Sequence, residues 1–274
     1  MHTTTRSRWS ATGTALVVAL AVAACGSDEE PGGDSQAAAT SAETSAAADP
    51  AEFCEAAVDV ESAAAAGPPI DETTPPAEAQ AAMEEFSARL GPLLERAQET
   101  APEEVADDVA TSIATMQQAL STGDMAPMEG AEFMAADDAI DEYMLAECGY
   151  EQIEVTGVDY EYEGVPDSVP SGVVAVTFRN EGEELHEIGI VRIDDDVDMP
   201  LAELAALPPE QSESMVQFAG AAFAAPGESD TVFLRMEPGR YGAGCFVPQG
   251  TTPEAEGSGP PHLTLGMLAE FQAE

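Results

Sequence analysis

Residues 174–190 read Val-Ala-Val-Thr-Phe-Arg-Asn-Glu-Gly-Glu-Glu-Leu-His-Glu-Ile-Gly-Ile, and this stretch decides the fold of the C-terminal half. Val174, Val176 and Phe178 alternate with Ala175 and Thr177, Asn180-Glu181-Gly182 breaks the run, and the same period returns at Ile188 and Ile190. A period of two places one set of side chains on one face of a strand, and Asn and Gly supply the turn. Working outward, Val232, Leu234 and Met236 repeat the pattern, as do Tyr241, Ala243, Cys245 and Val247, and then Leu263, Leu265 and Met267. Turn signals at Gly164 to Pro166, Pro226-Gly227 and Pro238-Gly239 separate these runs. Short strands spaced in this way predict a β-sandwich over residues 152–274. The stretch from about 195 to 225, with Met199, Leu204, Leu207, Met215 and Phe218, reads as an insertion that is partly helical or a loop.

Upstream the period is helical. Val105, Val109, Ile113, Met116 and Leu120 recur at intervals of four, four, three and four, and Met83, Phe86, Leu90, Leu93 and Leu94 do the same, with a kink or break expected at Gly91-Pro92. Asp49-Pro50 reads as an N-cap with a first-turn proline, and Pro76 and Pro102 as further first-turn prolines. Phe133, Ile140, Tyr143, Met144 and Leu145 mark a last helix before Cys148-Gly149. Residues 50–150 are therefore expected to form a bundle of about four helices, giving an α+β chain of two domains. The bundle has no histidine, its acids read as solvated, and its methionines sit at core spacing, so it suggests no chemistry.

The first 24 residues carry Arg6 and Arg8, a short apolar run from Gly13 to Val22, and Val22-Ala23-Ala24-Cys25. This resembles a bacterial lipoprotein signal, whose cysteine receives the lipid once the leader is removed. The resemblance implies a protein held by lipid on Cys25 at the outer face of the bacterial cell membrane. Residues 25–49 are small and polar and read as a flexible tether.

Removing Arg6 and Arg8 takes the formal net charge from −45 to −47, and lysine is absent. Such a surface repels nucleic acid and anionic headgroups, which excludes a nucleic-acid function. It fits either a basic redox partner or a general solubility adaptation, such as one to high salt, and the acids are spread along the whole chain. With Cys25 lipidated, Cys54, Cys148 and Cys245 remain. Cys54 and Cys148 bracket the helical region, so their pairing is expected, leaving Cys245 over.

His186, Cys245, His262 and Met267 occur in the order of a blue-copper ligand set, in which two imidazoles and a thiolate make a trigonal plane and a thioether a weak axial contact. Phe178-Arg179-Asn180-Glu181-Gly182 leading to His186, Pro238-Gly239-Arg240-Tyr241 leading to Cys245, and Pro261-His262 followed by Leu265-Gly266-Met267 resemble the cupredoxins, of which plastocyanin is the familiar small member. The resemblance covers residues 152–274 and implies a Greek-key β-sandwich, one copper ion and electron transfer. Two features depart from the family pattern. Sixteen residues separate Cys245 from His262, in place of a tight loop, so poorer preorganisation is expected. Glu187 follows His186 where plastocyanin-like proteins often carry asparagine, so support of the cysteine loop is expected to be missing. Taken singly, Met267 and Cys245 also fit core positions and the histidines fit a surface or loop, leaving a metal-free binding or structural module as the alternative. The two histidines left once the leader with His2 is removed cannot build a trinuclear copper cluster, and no Gly-x-Ser-x-Gly elbow occurs, so the chain is not expected to be an enzyme.

Overall fold

The computed structural model of this protein describes residues 49–70 and 73–274; the leader, Cys25 and the tether up to residue 48 lie outside the described residues. From Asp49 onward the chain is one compact unit.

Four helices come first: α1 (Pro50–Ala65), α2 (Pro76–Thr100), α3 (Ala106–Thr122) and α4 (Ala131–Glu147). The Asp49 carboxylate caps α1 by accepting from the Ala51 N–H at 3.0 Å, and Pro50 occupies the first turn. No break occurs at Pro92, which lies inside α2. A proline there removes one helical hydrogen bond, and burial of Leu90 and Leu94 on either side holds the helix across the gap. Pro102 falls in the turn ahead of α3, its carbonyl accepting from the Val105 N–H, and is not within the first helical turn. Cys54 of α1 is bonded to Cys148, with Cα atoms 5.6 Å apart.

The strands are β1 (Glu151–Val158), β2 (Glu161–Glu163), β3 (Ser168–Val169), β4 (Gly172–Asn180), β5 (His186–Ile193), β6 (Val216–Ala224), β7 (Ser229–Met236), β8 (Gly239–Gly244) and β9 (Leu268–Ala273). They form two sheets, ordered β2-β1-β4-β7 and β3-β9-β8-β5-β6. The β1–β4 and β3–β9 pairs are parallel, and the rest are antiparallel. Val174, Val176 and Phe178 meet Ile188, Ile190, Leu234, Tyr241 and Phe271 between the sheets, all buried. Fully burying side chains of this size contributes about 1.5–3 kcal/mol each.

Three strand assignments differ from the sequence reading. Cys245 and Val247 lie beyond β8, which ends at Gly244. The end of the expected insertion, Val216–Ala224, is β6; its small residues, Ala219 to Ala222, give no alternation of large apolar groups. Leu263, Leu265 and Met267 do not make a strand: His262–Leu265 is a 3-10 turn and the strand begins at Leu268. The two-residue spacing there makes no strand because the segment turns on itself, the Thr264 N–H donating to the Pro261 carbonyl and the Met267 N–H to the His262 carbonyl.

The helices pack on the outer face of β4 and β7. Ala175 and Phe233 are buried in one cluster with Phe53, Val58, Leu94 and Val109. The Phe233 N–H donates to Glu61 Oε2 at 2.9 Å, and Arg235 reaches Asp59 at 2.8 Å. Not all acids of the bundle are solvated as expected, since Glu61, Asp137 and Asp141 are half-buried at this junction. Burial, reinforced by the neighbouring carboxylates, pushes Glu61 up to about 8, Asp137 to about 6 and Asp141 to about 10.

Candidate metal centre

One end of the sandwich collects the four expected ligands. His186 opens β5, Cys245 directly follows β8, His262 opens the 3-10 turn and Met267 closes it. All four are fully buried, both histidines and the cysteine included, so none is a surface side chain. Cys245 is the free cysteine among the described residues.

The donor atoms converge. His186 Nδ1 lies 3.0 Å from His262 Nδ1, and Cys245 Sγ lies 3.9 Å and 3.3 Å from these two nitrogens. The point equidistant from all three is about 2.0 Å from each, close to metal–nitrogen bonds of about 2.0–2.1 Å and a little inside metal–sulfur bonds of about 2.3 Å. The three residues are the group among the described residues whose donor spacing could hold a metal ion. Met267 joins them through the backbone: its N–H donates to the His262 carbonyl and its carbonyl accepts from the Cys245 N–H. Its methyl packs where Gly157 leaves room, for a Cβ at Gly157 would stand 2.6 Å from the Phe178 ring and 3.1 Å from Met267 Cε.

The sixteen-residue excursion does not cost the site its preorganisation, contrary to expectation, because its neck is closed by hydrogen bonds. Leu263 N–H donates to the Cys245 carbonyl at 2.8 Å, His262 N–H to Val247 at 3.0 Å, and Gln249 N–H to Pro260 at 3.0 Å. The ligands therefore stand at the base of a hairpin. Support of the cysteine loop is present too. Glu187 Oε1 accepts from the Phe246 N–H at 2.8 Å, and the Glu187 N–H points at Cys245 Sγ at 3.5 Å. A carboxyl group thus does what the sequence reading assigned to an absent amide.

Several residues that complete the site were given no role in it from the sequence, where Asn180 was read only as part of the turn before His186. Asn180 is fully buried and spends its amide on the loop before His186. Its Nδ2 donates to the carbonyls of Glu184 and Ala224, both at 2.8 Å, and its Oδ1 accepts from the Gly182 N–H at 2.8 Å. Asp159 and Glu184 face the outer nitrogens of the two rings, at 3.3 Å from His186 Nε2 and 3.0 Å from His262 Nε2. Tyr160 lies against His262, with ring centroids 4.9 Å apart. Burial works to raise Glu184, but hydrogen bonds from Gly250, Tyr160 and His262 outweigh it and hold the carboxyl below the usual range. Burial likewise pushes the Cys245 thiol up to about 11 and disfavours charge on His186. A neutral imidazole is the form that ligates, and a cation at the centre is what stabilises a thiolate against desolvation. The donor set therefore fits one soft or borderline ion, and copper matches two imidazoles, a thiolate and a thioether.

Among solved structures, dithionite-reduced auracyanin from the photosynthetic bacterium Roseiflexus castenholzii is 25% identical, covering 46% of this chain and 99% of that one, with a TM-score of 0.31. Auracyanin A, a "blue" copper protein of Chloroflexus aurantiacus, is 18% identical over 46% of this chain and 100% of its own, TM-score 0.31. Rusticyanin from Thiobacillus ferrooxidans is 14% identical over 45% and 76%, TM-score 0.31. No family model and no curated protein matches the chain. The structure itself shows a β-sandwich of two sheets with His186, Cys245 and His262 gathered at one end beside Met267, preceded by a helical bundle.

Proposed function

We propose that this protein binds one copper ion and transfers electrons. The observation that carries the reading is the convergence of two Nδ1 atoms and one thiol sulfur, all buried, at ligating spacing. Cys245 supplies the thiolate, His186 and His262 the imidazoles, and Met267 the weak axial sulfur. Copper in such a set supplies a one-electron Cu(I)/Cu(II) couple. The residues serve transfer better than catalysis, because His186, Cys245, His262 and Met267 are all fully buried.

The setting belongs to the same proposal. Lipid on Cys25 holds the protein at the outer face of the cell membrane, an oxidising side on which the Cys54–Cys148 bridge persists. A basic redox protein is the partner that a chain of formal charge −47, counted without Arg6 and Arg8, would attract.

One equivalent of Cu(II) added to the folded protein should give an intense blue charge-transfer band. Cys245→Ser should abolish that band with the far-UV circular dichroism unchanged. Folded wild-type protein that gives no band and keeps no copper after desalting overturns the reading in favour of a metal-free surface module.

A further inference from the structure

Both imidazoles turn Nδ1 towards the centre, which leaves each Nε2 edge to be accounted for. His186 Nε2 meets Asp159 Oδ1 and His262 Nε2 meets Glu184 Oε2. An ionised carboxylate can only accept, so it places the ring proton on Nε2 and leaves the Nδ1 lone pair bare. Both carboxylates are also held by other groups. Asp159 Oδ1 accepts from the Glu183 N–H at 3.0 Å. Glu184 is fixed by the Tyr160 hydroxyl, which donates to Oε1 at 3.0 Å, and by the Gly250 N–H, which donates to Oε2. Tyr160 is in turn held by Gln249 Nε2 at 3.0 Å.

Asp159 and Tyr160 form the two-residue turn between β1 and β2. Tyr160 has φ 64°, the single positive value outside glycine among the described residues. A bulky side chain seldom adopts that conformation, and glycine would adopt it without strain. The strained tyrosine gives what glycine cannot: a ring against both imidazoles and a hydroxyl on Glu184. Opposite the turn, Gly182 leaves no room for a Cβ, which would stand 2.6 Å from His186 Nε2 and 2.7 Å from Asp159 Oδ1. Three separate segments thus close on the two Nε2 edges.

We infer that Asp159 and Glu184 are positioning residues of the centre, locking the two imidazoles as Nε2–H rings with both Nδ1 lone pairs committed to the ion, and that Tyr160 braces Glu184. This rests on the copper reading for its purpose, though the lock is a property of the chain without metal.

Long-range proton–nitrogen NMR of the histidine rings in copper-free protein tests the lock directly: both rings should carry a proton on Nε2. In copper-binding measurements, Glu184→Leu should lower the Cu(II) affinity about 10- to 100-fold. Glu184→Gln, which keeps an acceptor, should recover most of that loss yet raise the reduction potential by removing the charge. Asp159→Ala, at a turn whose side chain is 44% exposed, repeats the comparison for His186 should Glu184→Leu not fold. A ring with a bare Nε2, or unchanged affinity in Glu184→Leu and Asp159→Ala beside a blue wild type, overturns the lock and leaves the copper reading standing. Nε2–H rings in a wild type that takes up no copper overturn the copper reading alone.

Discussion

Asn180 shows how a single side chain governs the site without touching it. Its amide satisfies two carbonyls and one N–H of the segment that delivers His186, all in a fully buried position. Asn180→Leu fills similar volume but leaves those groups unpaired, at about 1–3 kcal/mol each. The expected outcome is a loss of about 3 kcal/mol or more in urea denaturation, with a weakened blue band in whatever folds. The candidate ligands could be read from the sequence because histidine and cysteine announce their chemistry by type and are scarce here, 3 and 4 in the chain, while Met267, one of 11 methionines, stood out only by its place after His262. Asp159 and Glu184 could not, because in a chain with 53 acidic residues no one carboxylate stands out until the fold turns it towards a ring.

At the scale of elements, legibility followed side-chain size. β4 and β7 were plain because large apolar residues alternate with small or polar ones. β6 was not, because Ala219, Gly220, Ala221 and Ala222 carry the strand with little contrast between its faces. Pro92 misled in the other direction, since local propensity favours a break and buried neighbours overrode it. The disulfide joins the first helix to the residue just after the last, across a sequence separation of 94. Replacing Cys54 and Cys148 with serine should cost about 2–5 kcal/mol in thermal or chemical unfolding. The copper spectrum of the folded double variant should not change, because no ligand and no carboxylate of the centre touches the bridge.

Across the whole molecule, the junction of bundle and sandwich places Glu61 of α1, Asp137, Asp138 and Asp141 of α4 and Asp230 of β7 within one another's influence. Burial and mutual repulsion raise several of them, while the nearby Arg235 and Arg96 are engaged by Asp59 and Glu55. A carboxyl whose folded value is raised favours the folded state below its unfolded value, and that contribution is lost as pH rises through the folded value. With Glu61 near 8 and Asp141 near 10, stability should fall between about pH 5 and pH 8 and continue to fall above it. Thermal unfolding across that range should show the decline, and Asp141→Asn should flatten it; a midpoint that rises with pH in the wild type rejects the assignment.

The hairpin that separates Cys245 from His262 divides labour along its length. Its neck fixes the ligands, while its tip, around the bridge between Thr252 and Ala255, contacts neither ring by any hydrogen bond among the described residues. The tip is therefore where residues could be inserted, or an epitope or a dye grafted, without disturbing the histidine rings.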